Sequence, residues 1–421
     1  MKLIQSLIAM ALLLLSAIPG HAAITIPGAD GSDGALNITD DTIIDLSQAV
    51  TGVWNANNTA NAGKGIYDPA KWAVVFKYSS VTVASGKTLT FTNHPSHAPV
   101  VWLVSGNATI SGTVSLNGTT GVAAPSLAEP GPGGFRGGMG IYGLSVFGSA
   151  GFGVGGGGIP GNDGYGGSYG SAGGLGPVAY GNPSLIPLIG GSGGSGTNNN
   201  SGNQPSGGGA GGGAILIACG NTLTIGGQVG ANGGAGASPY YRAGSGSGGG
   251  VRLVADTLAG TGIVNAVGGS APSGYAGGLG RIRIERVNNS SSASVLPDPS
   301  IVPLSPGDTA LLWPPSGAPD VRIVSIGGQN IGPDPLASFG TFGADAALPQ
   351  TASTQLVIET TNVEQASQVK VRGTPRSNAS FTEVNAAVSS VVSTTPLVVR
   401  WTATLPVQLG YAAVQVKVIR P

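Results

Sequence analysis

Charge is what this chain has least of. Only 9% of its 421 residues are Asp, Glu, Lys or Arg, with 18 acids against 18 bases, where ordinary soluble domains carry ~25%. A nucleic-acid binder needs a basic face and an anionic-membrane binder a basic amphipathic stretch, so neither partner is expected. Cysteine is almost absent as well. Cys219 stands alone, which excludes a disulfide framework. It ends the apolar run Ile215 to Ala218 with no His, Lys or Arg beside it, so packing rather than thiol chemistry is its expected role. Histidine is scarce, and the pair His94 and His97 is separated by Pro95 and followed by Pro99. Those prolines forbid the helix on which two such histidines would share a metal, and a surface loop is expected.

Paired carboxylates are missing where a polysaccharide-cleaving enzyme would need them. Between Val100 and Val287 the acids are Glu129, Asp163, Asp256 and Glu285, none close to another in sequence. Asp256 and Glu285 follow equivalent strands with Arg283 and Arg286 nearby, and a structural ion pair is the expected use. The acidic group Asp30, Asp33, Asp40, Asp41 and Asp45 lacks the alternation of a calcium loop and reads as a solvated cap or turn. No cofactor and no metal site is expected.

Glycine is what the chain has instead. Of 76 glycines, 55 fall between Gly131 and Gly280, far above the usual ~7%. Short apolar strands interrupt them, and three are copies: 211–218 (Gly-Gly-Gly-Ala-Ile-Leu-Ile-Ala), 248–255 (Gly-Gly-Gly-Val-Arg-Leu-Val-Ala) and 278–285 (Gly-Leu-Gly-Arg-Ile-Arg-Ile-Glu). The repeat runs on, since 223–234 aligns with 258–269 without a gap and 108–118 fits the same frame. Units of two or three short strands cannot bury an apolar face alone, so stacking into a solenoid is expected. Ile110, Ile225 and Leu258 should face one interior.

Residues 119–210 separate the first copy from the second. Two readings of this insertion stay open: a low-complexity loop, or an ordered face of extended polyproline-II-like segments packed closely because no Cβ holds them apart.

The run 76–86 (Phe-Lys-Tyr-Ser-Ser-Val-Thr-Val-Ala-Ser-Gly), then Thr88-Leu89-Thr90-Phe91 and 106–114 (Gly-Asn-Ala-Thr-Ile-Ser-Gly-Thr-Val), resembles the opening module of glycine-rich exported bacterial proteins. The resemblance spans about residues 72 to 285 and implies an extracellular, solenoid-like bacterial protein of unassigned function. It carries over no catalytic residue.

The expected fold is all-β: a glycine-rich parallel β-helix-like solenoid followed by a small immunoglobulin-like β-sandwich. Residues 1–22, an apolar run ending in Ala17-Ile18-Pro19-Gly20-His21-Ala22, read as a secretory signal peptide, and no later segment is a membrane span. Residues 23–99 read as a cap with the first strands, 100–287 as the solenoid, 288–319 as a proline- and serine-rich linker, and 320–421 as the sandwich with Trp401 in its core.

Seven of ten tyrosines lie in the glycine-rich part. On a Gly/Ser background they suit either adaptable recognition or the covering of bare backbone. The candidate binding set is Tyr165, Tyr169, Tyr240, Tyr241, Arg242 and Tyr275, with neutral glycans or cell-surface components as partners. The function expected is that of an exported, non-enzymatic, adhesin-like or structural surface or matrix protein. The alternatives are a β-helix carbohydrate-active enzyme and, from threonines on the faces of 88–92 and 222–224, an ice- or crystal-surface binder.

Overall fold

The computed structural model describes residues 22–142, 148–159, 163–199, 206–237, 242–271, 275–335, 343–349, 352–376 and 380–421, and it is all-β. The proposed signal peptide, up to residue 21, lies outside the described residues. Period-two alternation turns each repeat copy into strands, and stacking joins copy to copy. Ala73–Val83, Val100–Val104, Ala214–Ile225, Gly250–Gly260, Arg281–Ser291 and Ser300–Pro303 lie side by side in parallel. Three short N-terminal strands and Ala108–Ile110 complete this ten-stranded sheet. A second parallel sheet stacks Thr42–Asp45, Thr88–Thr92, Thr113–Ser115, Gln228–Gly230, Ile263–Asn265 and Ser294–Leu296 in the same order.

The register follows the alignment of the copies. Leu223 pairs with Leu258 and Ile225 with Ile110, and all four are buried in one interior with Val114, Val229 and Val264. The long insertion leaves this stacking intact, because Ile215 to Cys219 pair one to one with Val100 to Val104. Asn117 and Asn232 occupy one repeat position, and each side-chain oxygen accepts the backbone N–H of the next copy, from Asn232 (2.7 Å) and Val267 (2.9 Å).

Strand Val100–Val104 is buried on both faces, as parallel strands usually are. Val100, Trp102 and Val104 point into the interior. Val101 and Leu103 point outward, where Ile24, Ile26, Ala310 and Leu312 cover them. Thr25 hydrogen-bonds with Asp308 and Ala310, so chain from both flanks of the repeats closes this outer face. The stretch from 288 is therefore not a linker at its start: Asn288 to Ser291, Ser294–Leu296 and Ser300–Pro303 are stacked strands, and 304–313 packs as a strap. Parallel stacking supplies their hydrogen bonds whatever the Asn/Ser composition. Arg252 ties the strap down. It is 1% exposed, pairs with Glu285 at 2.7 Å and donates to the carbonyls of Leu311 (2.5 Å) and Leu312 (3.4 Å). Glu285 also takes Arg283 at 2.7 Å, so its ion pairs are with Arg252 and Arg283. Burial pulls the Arg252 pKa down and Glu285 opposes that pull.

Within the glycine-rich insertion the described segments are ordered, extended and hydrogen-bonded to several neighbours each. The amides of 208–214 show the rule. Gly208, Gly211 and Ala214 donate to Gly138, Phe135 and Pro132; Gly209 and Gly212 donate to Gly244 and Ser247; Ala210 and Gly213 donate to Thr119 and Leu116. Every third residue faces the same neighbour, which is the rotation of polyproline II. Segments that donate in three directions must touch on all sides, and at most positions glycine is what permits it. A Cβ on Gly209 would sit under 3 Å from the carbonyl of Gly234, and one on Gly211 under 3 Å from that of Gly191. The result is a sheaf with backbone, not side chains, at its centre.

The C-terminal part is an antiparallel seven-stranded arrangement. Thr382–Thr394 pairs through its first half with Gln368–Pro375 and through its second with Leu397–Pro406, with two bulges. The strands enclose Leu356, Ile358, Val369, Val371, Val399, Trp401 and Leu405. Trp401 donates its ring N–H to Thr360 at 2.9 Å. This part docks against the sheaf through Arg372. Its guanidinium donates to the carbonyls of Gly151 (3.2 Å), Val154 (3.3 Å) and Gly156 (2.8 Å) and stacks on Phe381 at 3.6 Å.

Candidate recognition site

The sheaf's segments run alternately away from the stacked sheets and back. Segments 190–197, 230–237 and 265–271 lead outward; 206–214, 242–250 and 275–281 return into strands. The described ends of these segments therefore gather on the side remote from the sheets; Tyr240 and Tyr241 lie outside the described residues.

Three of the candidate residues meet at this end. Gly164 donates to the Arg242 carbonyl (2.9 Å) and Ser245 to that of Tyr275 (2.9 Å), which sets three chain segments side by side. Asp163 joins them: one carboxylate oxygen accepts the Tyr275 hydroxyl (2.9 Å) and the other the Arg242 amide (3.3 Å). The Arg242 guanidinium lies 5.4 Å from the Tyr275 ring centroid, and Arg242 is exposed while Tyr275 is half-buried. Tyr165 lies beside them, its backbone fixed by Ser195 through N–H to Oγ (2.8 Å) and Ser195 N–H to its carbonyl (3.1 Å). A charged group held over an aromatic face at a rim is preorganised for contact, at about 0.5–1 kcal/mol for an exposed pair. Asp163 is the residue that composition hid. It is the single acid between Glu129 and Asp256, and that isolation in a neutral stretch is the signal that could have found it.

Tyr169 does not belong to this surface. It is fully buried, tilted against Tyr180 at 4.9 Å with Arg281 5.7 Å from its ring. Tyr180 donates to the Gly190 carbonyl (3.0 Å). These two rings cover bare glycine backbone, and burial raises both hydroxyl pKa values. Gly-Ser flanks misled because the apolar neighbours of Tyr169 come from other segments.

The remaining motifs resolve into structure. His94 is buried rather than on a surface loop. It stacks on Tyr67 at 4.0 Å, while the His97 carbonyl accepts the Gly133 amide (2.8 Å) where the sheaf begins. The prolines keep this segment out of a helix, but the sheaf packs over the turn. Among the acids, Asp33 is buried and accepts from Asn58 (2.6 Å), Gly63 (2.9 Å) and the Lys77 amide (2.7 Å). Asp30 faces the Lys77 ammonium at 3.3 Å, and Asp41 accepts the Thr88 amide at 2.8 Å. Cys219 is buried, donating to the Gly106 carbonyl at 3.0 Å, and burial pushes its thiol up to about 11. The outward column through the second sheet reads Thr88, Thr113, Gln228, Ile263, Ser294, not a regular threonine array. Set beside known proteins, the chain matches no family model, no curated protein and no solved structure.

Proposed function

We propose that this chain is an exported, non-enzymatic surface or matrix protein of adhesin-like character, binding neutral glycans or cell-surface components. In this reading the parallel part is a glycine-rich β-helix-like solenoid and the antiparallel part an immunoglobulin-like β-sandwich. The sheaf is a rigid stalk whose outer connections make the contact. The observation that carries it is the sheaf itself. With backbone at its centre the sheaf has no interior side chains to form a pocket there, while at its outer end Asp163, Arg242 and Tyr275 are held together. Near-zero net charge removes long-range steering, so affinity must come from short-range contact, and rings with an arginine supply most of it.

The enzyme alternative is weaker, because Glu129 pairs with Arg136 at 2.7 Å and Glu285 with two arginines. The uneven outward column speaks against an ice or crystal face, which needs a regular spacing.

Attachment of the purified chain to immobilised neutral glycans and to cells tests the reading. Replacing Arg242 and Tyr275 by Ala together should weaken attachment at least ~30-fold, the equivalent of one hot spot of about 2 kcal/mol, with the melting temperature nearly unchanged. Undiminished attachment would sink the proposal.

A further inference from the structure

A cavity of about 340 Å³ lies where the sheaf, the His94–His97 turn and the antiparallel part meet. Its walls are largely apolar, with Trp72, Phe135, Phe152 and Pro333 among them. The walls are fastened from both sides: the Trp72 ring N–H donates to the Ser96 carbonyl (3.0 Å), and Tyr67, stacked on His94, donates its hydroxyl to Asp334.

Three observations set this cavity apart from a packing defect. Trp72 (φ 46°) and His97 (φ 54°) both line it in the left-handed region. Non-glycine residues hold that conformation at a cost, and such strain gathers at ligand sites. Gln415 also lines it, and its Oε1 is buried with no hydrogen-bond partner among the described residues, an arrangement that asks for an explanation. Asp334, on the same wall, forms no ion pair among the described residues. Pockets of this kind, apolar with a few convergent polar groups, favour domain junctions.

Of the polar groups in the lining, Arg136 is paired with Glu129 (2.7 Å) and Ser96 Oγ lies against His94 (2.8 Å), so Gln415 Oε1 and the Asp334 carboxylate, beside the His97 ring, set the ligand's chemistry. Gln415 Oε1 and the Asp334 carboxylate accept hydrogen bonds, so the ligand must donate N–H or O–H. Aromatic and proline walls ask for a C–H face and apolar substituents. The volume is near the bottom of the range for small-molecule pockets, roughly 300–1,000 Å³, so one ring fits and a chain does not. We propose that this cavity binds a single neutral sugar residue bearing a methyl group, an N-acetylhexosamine or a 6-deoxyhexose. Hydroxyl or amide donors meet Gln415 and Asp334, and the methyl and C–H face lie against the rings. Gly134 and Arg136 at the sheaf's base and Val414 opposite complete the enclosure. The lining shares no residue with the Asp163, Arg242 and Tyr275 cluster, so this site and the outer-loop reading stand or fall separately.

The test titrates the full chain with N-acetylglucosamine, N-acetylgalactosamine, fucose and rhamnose, with glucose and mannose as comparators, by calorimetry and tryptophan fluorescence. At least one methyl-bearing sugar should bind saturably and at least 10-fold more tightly than glucose. Gln415→Leu, which keeps the bulk and removes the acceptor, should weaken that binding at least 10-fold, while Gly226→Ala, in an uncrowded sheet corner outside both sites, leaves it unchanged. If Gln415→Leu fails to fold, Phe135→Leu is the second variant with the same expectation. No binding by any methyl-bearing sugar, equal binding of glucose, or full affinity in the folded variant would each overturn the proposal.

Discussion

Adding one methyl group to the centre of the glycine sheaf should destabilise the fold strongly, while the same methyl in a corner of the stacked sheets should not. Gly209 donates to Gly244 and accepts from Gly194, both at 2.9 Å. A Cβ there would lie under 3 Å from the carbonyl carbon and oxygen of Gly234 and from the carbonyl of Ala235. All three are backbone atoms within a hydrogen-bonded array, so no side chain can swing aside. Gly209→Ala must push segment 230–237 outward, breaking bonds such as Gly234 to Ala210 (2.8 Å). Overpacking of a tight core costs typically 1–3 kcal/mol, and the absence of any flexible neighbour places this case at about 3 kcal/mol. Gly226 is the control. It stands in a corner with nothing closer than 3.9 Å to an added Cβ. Gly226→Ala should be neutral or stabilise by about 0.4–1 kcal/mol, by restricting the unfolded chain. Thermal melts read the contrast, with a fall on the order of 10 °C expected for Gly209→Ala. Equal midpoints for the two variants would refute the reasoning.

Three further outcomes follow from buried charge. Glu285→Gln leaves Arg252 buried without its counter-ion and should destabilise by about 3–5 kcal/mol in denaturant melts; a change under about 1 kcal/mol would mean that the strap does not depend on the pair. Arg372→Leu removes the donor from the carbonyls of Gly151, Val154 and Gly156. Limited proteolysis should then release a fragment beginning near residue 320, and an unchanged digestion pattern would count against this latch. Burial pulls His97 down to about 3, against an ordinary value near 6.5. The unfolded state therefore takes up the proton first as pH falls, and stability is full above about pH 6.5 and erodes toward pH 3. The loss should reach about 2 kcal/mol at pH 5, and His97→Gln should flatten that slope. An equally steep slope in the variant would assign it to other groups.

The stacked sheets were legible because the repeat puts the same residue types at the same register. Leu223 and Leu258 align in the sequence and pair in the sheet. Strand Thr382–Thr394 was not legible: most of it is exposed and it changes partner midway, so no period-two apolar pattern marks it. The Asn/Ser stretch from 288 misled for a related reason, since stacking against Gly250–Gly260 makes strands of residues with little intrinsic preference for them. In the sheaf the missing signal is more basic. Its order resides in which neighbour each amide faces, and glycine carries no side chain to record that direction. The outer cluster was half visible, as Tyr275 and Arg242 stood out by type while Asp163, which holds them, stood out only by its isolation.

Hydrogen exchange of individual glycine amides tests the central claim, an ordered backbone sheaf that presents loops, most directly. The amides of Gly194, Gly209, Gly212 and Gly244, each bonded at 2.9 Å to a neighbouring segment, should be as strongly protected as those of Ile217 and Leu253 in the parallel sheet. Exchange of those four at unfolded-chain rates, with Ile217 and Leu253 still protected, would mean that the glycine-rich stretch is a loose linker and that nothing holds the outer loops in place.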